Sequence, residues 1–218
     1  MTAVKPIGLL GGAFDPIHYG HLRLALDFLQ ILDLKEVRFI PCKSPVLKEA
    51  TLATPEQRLA LLRLAITPVP QFRIDDREIK RDSPSYMIET VKSLRKEFSN
   101  TPLCLLLGSD AFLKLDEWKE WQKLLDYVHI VVGLRAGTPF LLNEVLSDFI
   151  SQHQLNDTED LHQQLHGGIY IQNISQLTIS ASDIRSQIAA HLDVRFLLPD
   201  NVYQYIQQHQ LYGYTHDI

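Results

Sequence analysis

The residues best suited to chemistry are gathered in one short run, Gly11-Gly12-Ala13-Phe14-Asp15-Pro16-Ile17-His18-Tyr19-Gly20-His21-Leu22. Glycines let a backbone approach a bulky anion, and a helix start adds N–H donors and partial positive charge, so a glycine turn ahead of a helix suits phosphate. His18 and His21 stand three apart beside that helix start, a spacing that turns two imidazoles toward one ligand from the same side. Neither falls in an apolar stripe. Two further groups point the same way. The loop Pro41–Lys48 carries Lys43 and Lys48, and Ser180-Ala181-Ser182-Asp183-Ile184-Arg185 reads as a helix start with Ser180 as its cap and Asp183 three residues on. Taken singly these are ordinary features, since loop lysines are usually solvated and a helical arginine usually forms a surface ion pair. Converging with two imidazoles on a helix terminus, they fit a triphosphate, whose developing charge needs several donors fixed in advance. Asp15, just before a proline, is suited either to shaping the turn through its own side chain or to touching the ligand.

The elements that must position these groups alternate along the chain. The apolar run Ile7, Leu9, Leu10 reads as a strand, and Leu22, Ala25, Leu26, Leu29 and Leu32 follow with helical spacing. Val37–Ile40 reads as a second strand. A helix begins at Thr54, with Pro55 in its first position and Gln57 placed to complete a capping box, and runs to about Ile66. Phe72–Ile74 is a third strand candidate, and Ser85 opens a helix whose apolar face is Ile88, Val91, Leu94 and Phe98. Leu103–Leu107 and Val128–Val132 are continuously apolar, as expected of central strands covered by helices on both faces. Ile169–Gln172 resumes as strand and a last helix starts near Asp200. The fold expected is α/β: a doubly wound, mostly parallel, Rossmann-like sheet with ligands at the carboxyl ends of its strands, where Gly11 and Gly108 lie.

A chain of 218 residues fits a single domain, residues 1–218, able to bury roughly 70% of its unfolded surface. The polar stretch of about 138–168 reads as a helical insertion, and about 180–218 as a C-terminal helical part. A net charge of −5 speaks against a duplex nucleic-acid binder and for small-molecule partners. Of the two cysteines, Cys42 and Cys104, the second lies inside an apolar run, which indicates a reduced, cytoplasmic compartment. No stretch reads as a signal peptide or membrane span. His153, His162 and His166 lack the paired cysteine or acidic ligands of a metal site, so a solvated helix face is expected there and no protein metal site.

The GGxFDPxHxGH segment at 11–21 and the ISASDIR segment at 179–185 closely resemble those of nicotinate-mononucleotide adenylyltransferases, within the HxGH nucleotidyltransferase superfamily. The resemblance covers nearly the whole chain, with Ile40-Pro41, Pro84-Ser85-Tyr86, Gly108-Ser109-Asp110, Trp118 and Leu134-Arg135 as intermediate landmarks. It implies transfer of the adenylyl group of ATP to nicotinate mononucleotide, with release of pyrophosphate and with Mg²⁺ accompanying the ATP. It implies further that His18, His21 and Arg185 are catalytic, and that Gly11, Gly12, Ala13, Phe14, Lys48, Ser180 and Ser182 join Arg185 around the ATP phosphates. Ser85, Tyr86, Met87, Gly108, Asp110, Trp118 and Arg135 would take the mononucleotide and its ribose. Trp118 also shares helical spacing with Trp121, Leu124 and Leu125, which suits a core role, and Asp110 could instead cap the following helix.

The sequence departs from the family pattern at Ala13, where a hydroxyl residue is usual, at Leu47, where a loop histidine is common, and at Met87, which replaces a common threonine. The implied nucleophile is a phosphate already ionised at neutral pH, so positioning and charge stabilisation suffice without a strong base. Nicotinamide mononucleotide or phosphopantetheine as acceptor, and a module that senses nucleotides without turnover, are the alternatives.

Overall fold

The computed structural model describes residues 4–46, 50–135, 140–175 and 177–215, with Arg135 described by its backbone alone. In chain order the elements are β1 (Ile7–Gly12), α1 (Tyr19–Ile31), β2 (Glu36–Pro41), α2 (Pro55–Ile66), β3 (Phe72–Ile74), α3 (Arg77–Lys80), α4 (Met87–Glu97), β4 (Leu103–Gly108), α5 (Ser109–Phe112), β5 (His129–Arg135), α6 (Glu144–His153), α7 (Glu159–Gln163), β6 (Ile169–Ile174), α8 (Ala181–Ala189) and α9 (Asp200–Gln208). Short 3₁₀ turns span Leu115–Glu117, Trp121–Asp126 and Leu211–Gly213. The strand order is β3-β2-β1-β4-β5-β6, and β1, β4, β5 and β6 pair in parallel. The order reverses between β1 and β4, which places a topological switch point at their carboxyl ends, Gly11 and Gly108. The doubly wound sheet expected from the sequence is therefore the observed one.

The chain forms two compact units. The first comprises Met1–Gly11, Leu24–Arg38 and Tyr86–Gln176. Here Leu103–Leu107 and Ile130–Val132 are buried at every position, which requires cover on both faces of the sheet. Ile88, Val91 and Leu94 of α4 supply part of that cover, a stripe at helical spacing. Residues 140–168 lie in the crossover from β5 to the adjacent parallel strand β6, and Leu146, Phe149, Ile150 and Leu161 among them are buried. His162 Nε2 lies 3.0 Å from the Leu32 carbonyl and His166 Nδ1 3.1 Å from that of Leu125.

The second unit comprises Gly12–Arg23, Phe39–Ser85 and Leu177–Ile218. Thr54 caps α2 with the full reciprocal box, its side chain accepting from the Gln57 amide while Gln57 accepts from the Thr54 amide. Ser180 caps α8 by accepting from the Asp183 amide. Helix α9 packs on α2, where Asn201 Nδ2 donates to the Leu64 carbonyl at 2.8 Å. Phe39 and Phe72 meet edge to face with centroids 5.1 Å apart, in a core shared with Phe14, Leu61, Leu62 and Ile184. No described helix is long and apolar enough to cross a membrane.

A buried histidine makes the first unit acid-sensitive. The Gly168 amide donates to His129 Nδ1 at 3.1 Å, so the ring proton must sit on Nε2, which faces the Gln164 carbonyl at 2.9 Å. Burial holds the His129 pKa below its ordinary value. A histidine with a depressed folded pKa contributes stability that is full above the unfolded value, about 6.5, and is lost as pH falls. Unfolding free energy from urea titration should decline from pH 7 to pH 5, and His129→Asn should flatten that decline. Equal slopes for the two proteins would contradict this role.

Candidate active site

The second unit carries the histidine-bearing turn. Chain direction changes at Phe14, a buried residue held at φ 50°, and its ring meets His21 edge to face at 5.1 Å. The Gly12 carbonyl just before it accepts from the Cys42 amide at 3.0 Å. His18 and His21 stack with ring centroids 3.8 Å apart and planes 28° from parallel. Gly20 makes that stack possible, because a β-carbon there would stand 2.9 Å from His18 Cε1 and Nδ1 and 3.3 Å from the Ile179 carbonyl. His18 is buried, and its Nδ1 has no hydrogen-bond partner among the described residues. Burial lowers its pKa to about 4, so the imidazole is neutral at physiological pH. It can offer a dipole to an anion, but not a charge.

Charge comes from the far end of the chain. Arg185 Nη1 donates to the Asp15 backbone carbonyl at 2.7 Å, which joins the ISASDIR helix to the turn across 170 positions. Its Nη2 lies 3.4 Å from Ser182 Oγ. The Asp15 carboxylate is itself fully engaged. Oδ2 accepts from the Leu52 amide at 2.8 Å, and Oδ1 from the Ala53 amide at 3.1 Å and the Tyr212 hydroxyl at 2.9 Å. Asp15 thus binds distant segments instead of shaping its own turn, as the sequence had offered. Arg58 of α2 completes the frame. It is 0% exposed and donates to the carbonyls of Ala13 (2.7 Å), Cys42 (2.7 Å) and Lys43 (2.9 Å), tying the turn to the exit of β2.

Three expectations need correction. The helix expected from Ser85 begins at Met87, with Tyr86 as an N-cap that makes no side-chain cap bond. Ser85 Oγ instead accepts from the Lys43 amide at 3.0 Å. Asp110 does not cap α5, whose N-cap is Gly108; it lies inside the helix. Trp118 does not share a helical face with Trp121, because it sits between two 3₁₀ turns and Glu120 breaks the periodicity at φ 51°. Lys43 Nζ is turned to the Arg81 carbonyl and Asp82 Oδ1, each at 3.2 Å. Leu47 and Lys48 lie outside the described residues, as does the side chain of Arg135.

In the first unit, Gly11 and Gly108 close adjacent parallel strands, and Asp110 follows in the first turn of α5, exposed. The Met87 methyl occupies the place a side chain on Gly11 would take, at 2.6 Å. Lys119 Nζ stands 4.5 Å from the centre of the Tyr86 ring. Sequence reading passed over Arg58 and Tyr212. Only their long-range partners reveal them.

Residues 9–187 match the family described as Cytidylyltransferase-like. A protein of Aeromonas salmonicida named "Probable nicotinate-nucleotide adenylyltransferase" is 45% identical over 95% of this chain and 97% of its own length. One of Hahella chejuensis with the same name is 44% identical over 98% of each. The chain belongs to the nicotinate-nucleotide adenylyltransferase family. The fold agrees: Plasmodium falciparum nicotinic acid mononucleotide adenylyltransferase complexed with APC superposes with a TM-score of 0.72 over 98% of this chain and 100% of that one, at 19% identity. The same enzyme complexed with NaAD also gives 0.72, at 20% identity.

Arg58→Met would leave three carbonyls without their donor and should lower stability by about 3 kcal/mol or more. Chemical denaturation measures this directly, and an unchanged midpoint and slope would contradict the frame assigned to Arg58.

Proposed function

We propose that this chain transfers the adenylyl group of ATP to the 5′-phosphate of nicotinate mononucleotide in the cytoplasm, forming nicotinate adenine dinucleotide and pyrophosphate. The observation that carries this reading is the bond from Arg185 to Asp15, which sets the only family-matched arginine of the ISASDIR helix against the histidine-bearing turn. In the reaction a phosphate oxygen of the mononucleotide bonds to the α-phosphorus of ATP, and the bond from that phosphorus to the bridging oxygen breaks. The electron pair leaves on pyrophosphate. Arg185, with the amides near Ser182, neutralises the charge that gathers there, and His21 donates to the reacting phosphate with neutral His18 stacked behind it. Gly11, Gly12, Ala13, Phe14, Lys48 and Ser180 complete the phosphate side.

For the acceptor, the reading assigns Ser85, Tyr86, Met87, Gly108, Asp110, Trp118 and Arg135. Met87 opens α4, so a nicotinate carboxylate read by backbone amides there would be insensitive to the loss of the usual threonine hydroxyl. A divalent cation, Mg²⁺ by family resemblance, fits this donor set only as an ion that arrives on the ATP phosphates. The Asp15 carboxylate is already taken by three donors, and no cluster of three or more potential ligands exists among the described residues.

Pyrophosphate release measured with ATP and, in turn, nicotinate mononucleotide, nicotinamide mononucleotide and phosphopantetheine should be fastest with the first. Absence of release with all three would overturn the enzymatic reading in favour of a nucleotide sensor. His21→Ala should lower turnover by about a hundredfold or more with the fold retained, the scale of losing a charge-stabilising donor. Near-normal turnover would remove His21 from the mechanism.

A further inference from the structure

Tyr212 lies near the end of the described chain, in the Leu211–Gly213 turn, and is buried. Its backbone stands at φ 60°, between Gln210 at φ 50° and Gly213 at φ 81°. A left-handed conformation costs an aromatic residue about 1–2 kcal/mol, so the packing around it must hold it there. What that placement achieves is the 2.9 Å bond from its hydroxyl to Asp15 Oδ1, across 197 positions.

The bond matters because of what competes for the same carboxylate. Arg185 Nη1 is bonded to the Asp15 carbonyl at 2.7 Å, yet it is only 3.9 Å from Asp15 Oδ2. A buried carboxylate short of one donor draws the nearest cation into a closer pair. Arg185, with its side chain partly exposed, is the cation within reach. An arginine committed to Asp15 in that way has less of its charge and fewer of its N–H groups to offer an incoming phosphate.

We propose that Tyr212 is a positioning residue for phosphate binding: its hydroxyl satisfies the Asp15 carboxylate and so keeps Arg185 on the Asp15 carbonyl, with its remaining donors available to the triphosphate. The inference rests on the assignment of Arg185 to the ATP phosphates. Burial and the adjoining carboxylate push the phenol pKa up, so the hydroxyl remains a donor across the neutral range.

Tyr212→Phe removes one oxygen and tests this in the full-length chain. Calorimetric titration with inorganic tripolyphosphate should show affinity lowered about tenfold, the scale of one hydrogen bond to a charged group. The KM for ATP should rise in parallel while that for nicotinate mononucleotide stays within about twofold. Tyr212→p-aminophenylalanine keeps a donor at the same place and should restore tripolyphosphate affinity, which also serves if the phenylalanine variant folds poorly. A lowered melting temperature with unchanged tripolyphosphate affinity would overturn the positioning role and leave a structural one. Failure of the unaltered protein to bind tripolyphosphate would instead overturn the phosphate assignment of Arg185, and this inference with it.

Discussion

A carboxylate taken out of water must find donors, and the second unit is arranged around meeting that demand at Asp15. Two backbone amides and a tyrosine hydroxyl satisfy the carboxylate, and an arginine binds the carbonyl of the same residue. The four donors come from three separate parts of the chain: the loop leading into α2, the turn at Leu211–Gly213 and helix α8. Removing the charge, or leaving it short of partners, would cost more than most surface interactions supply. One residue therefore fixes where three segments meet, and the histidine pair follows three residues after it.

Arg58 reinforces the same turn. Its three bonds to carbonyls fix the backbone of Ala13 and of the β2 exit. The imidazoles stack face to face, and burial keeps His18 neutral. A neutral His18 offers an anion a dipole and no charge, so the charge comes from Arg185. Such a site suits a nucleophile that is already anionic and has no proton to lose.

Local chemistry was legible in the sequence, and remote chemistry was not. The capping box at Thr54 and Gln57 and the cap at Ser180 could be read because both partners lie within one turn. The continuous apolar runs gave β4 and β5, since burial on both faces leaves no alternation. Ser85 misled because its hydroxyl, suited to a cap, is used by an amide 42 residues away. The alternative that put Trp118 on one helical face with Trp121 fails because that spacing runs through a stretch that a left-handed Glu120 interrupts. Asp15 offered a turn or a ligand contact, but its partners lie 37, 38 and 197 residues distant. The convergence of the two motifs was expected from their residue types, whereas the Asp15 carbonyl that joins them, and the carboxylate that anchors the turn, were not.

A crystal structure of this chain with a non-hydrolysable ATP analogue tests the central claim most directly. The account predicts the β- and γ-phosphates within hydrogen-bonding distance of both Arg185 and His21, with Asp15 still bonded to Leu52, Ala53 and Tyr212. Phosphates seated away from either side chain, or an Arg185 drawn onto the Asp15 carboxylate closer than its present 3.9 Å while nucleotide is bound, would contradict it.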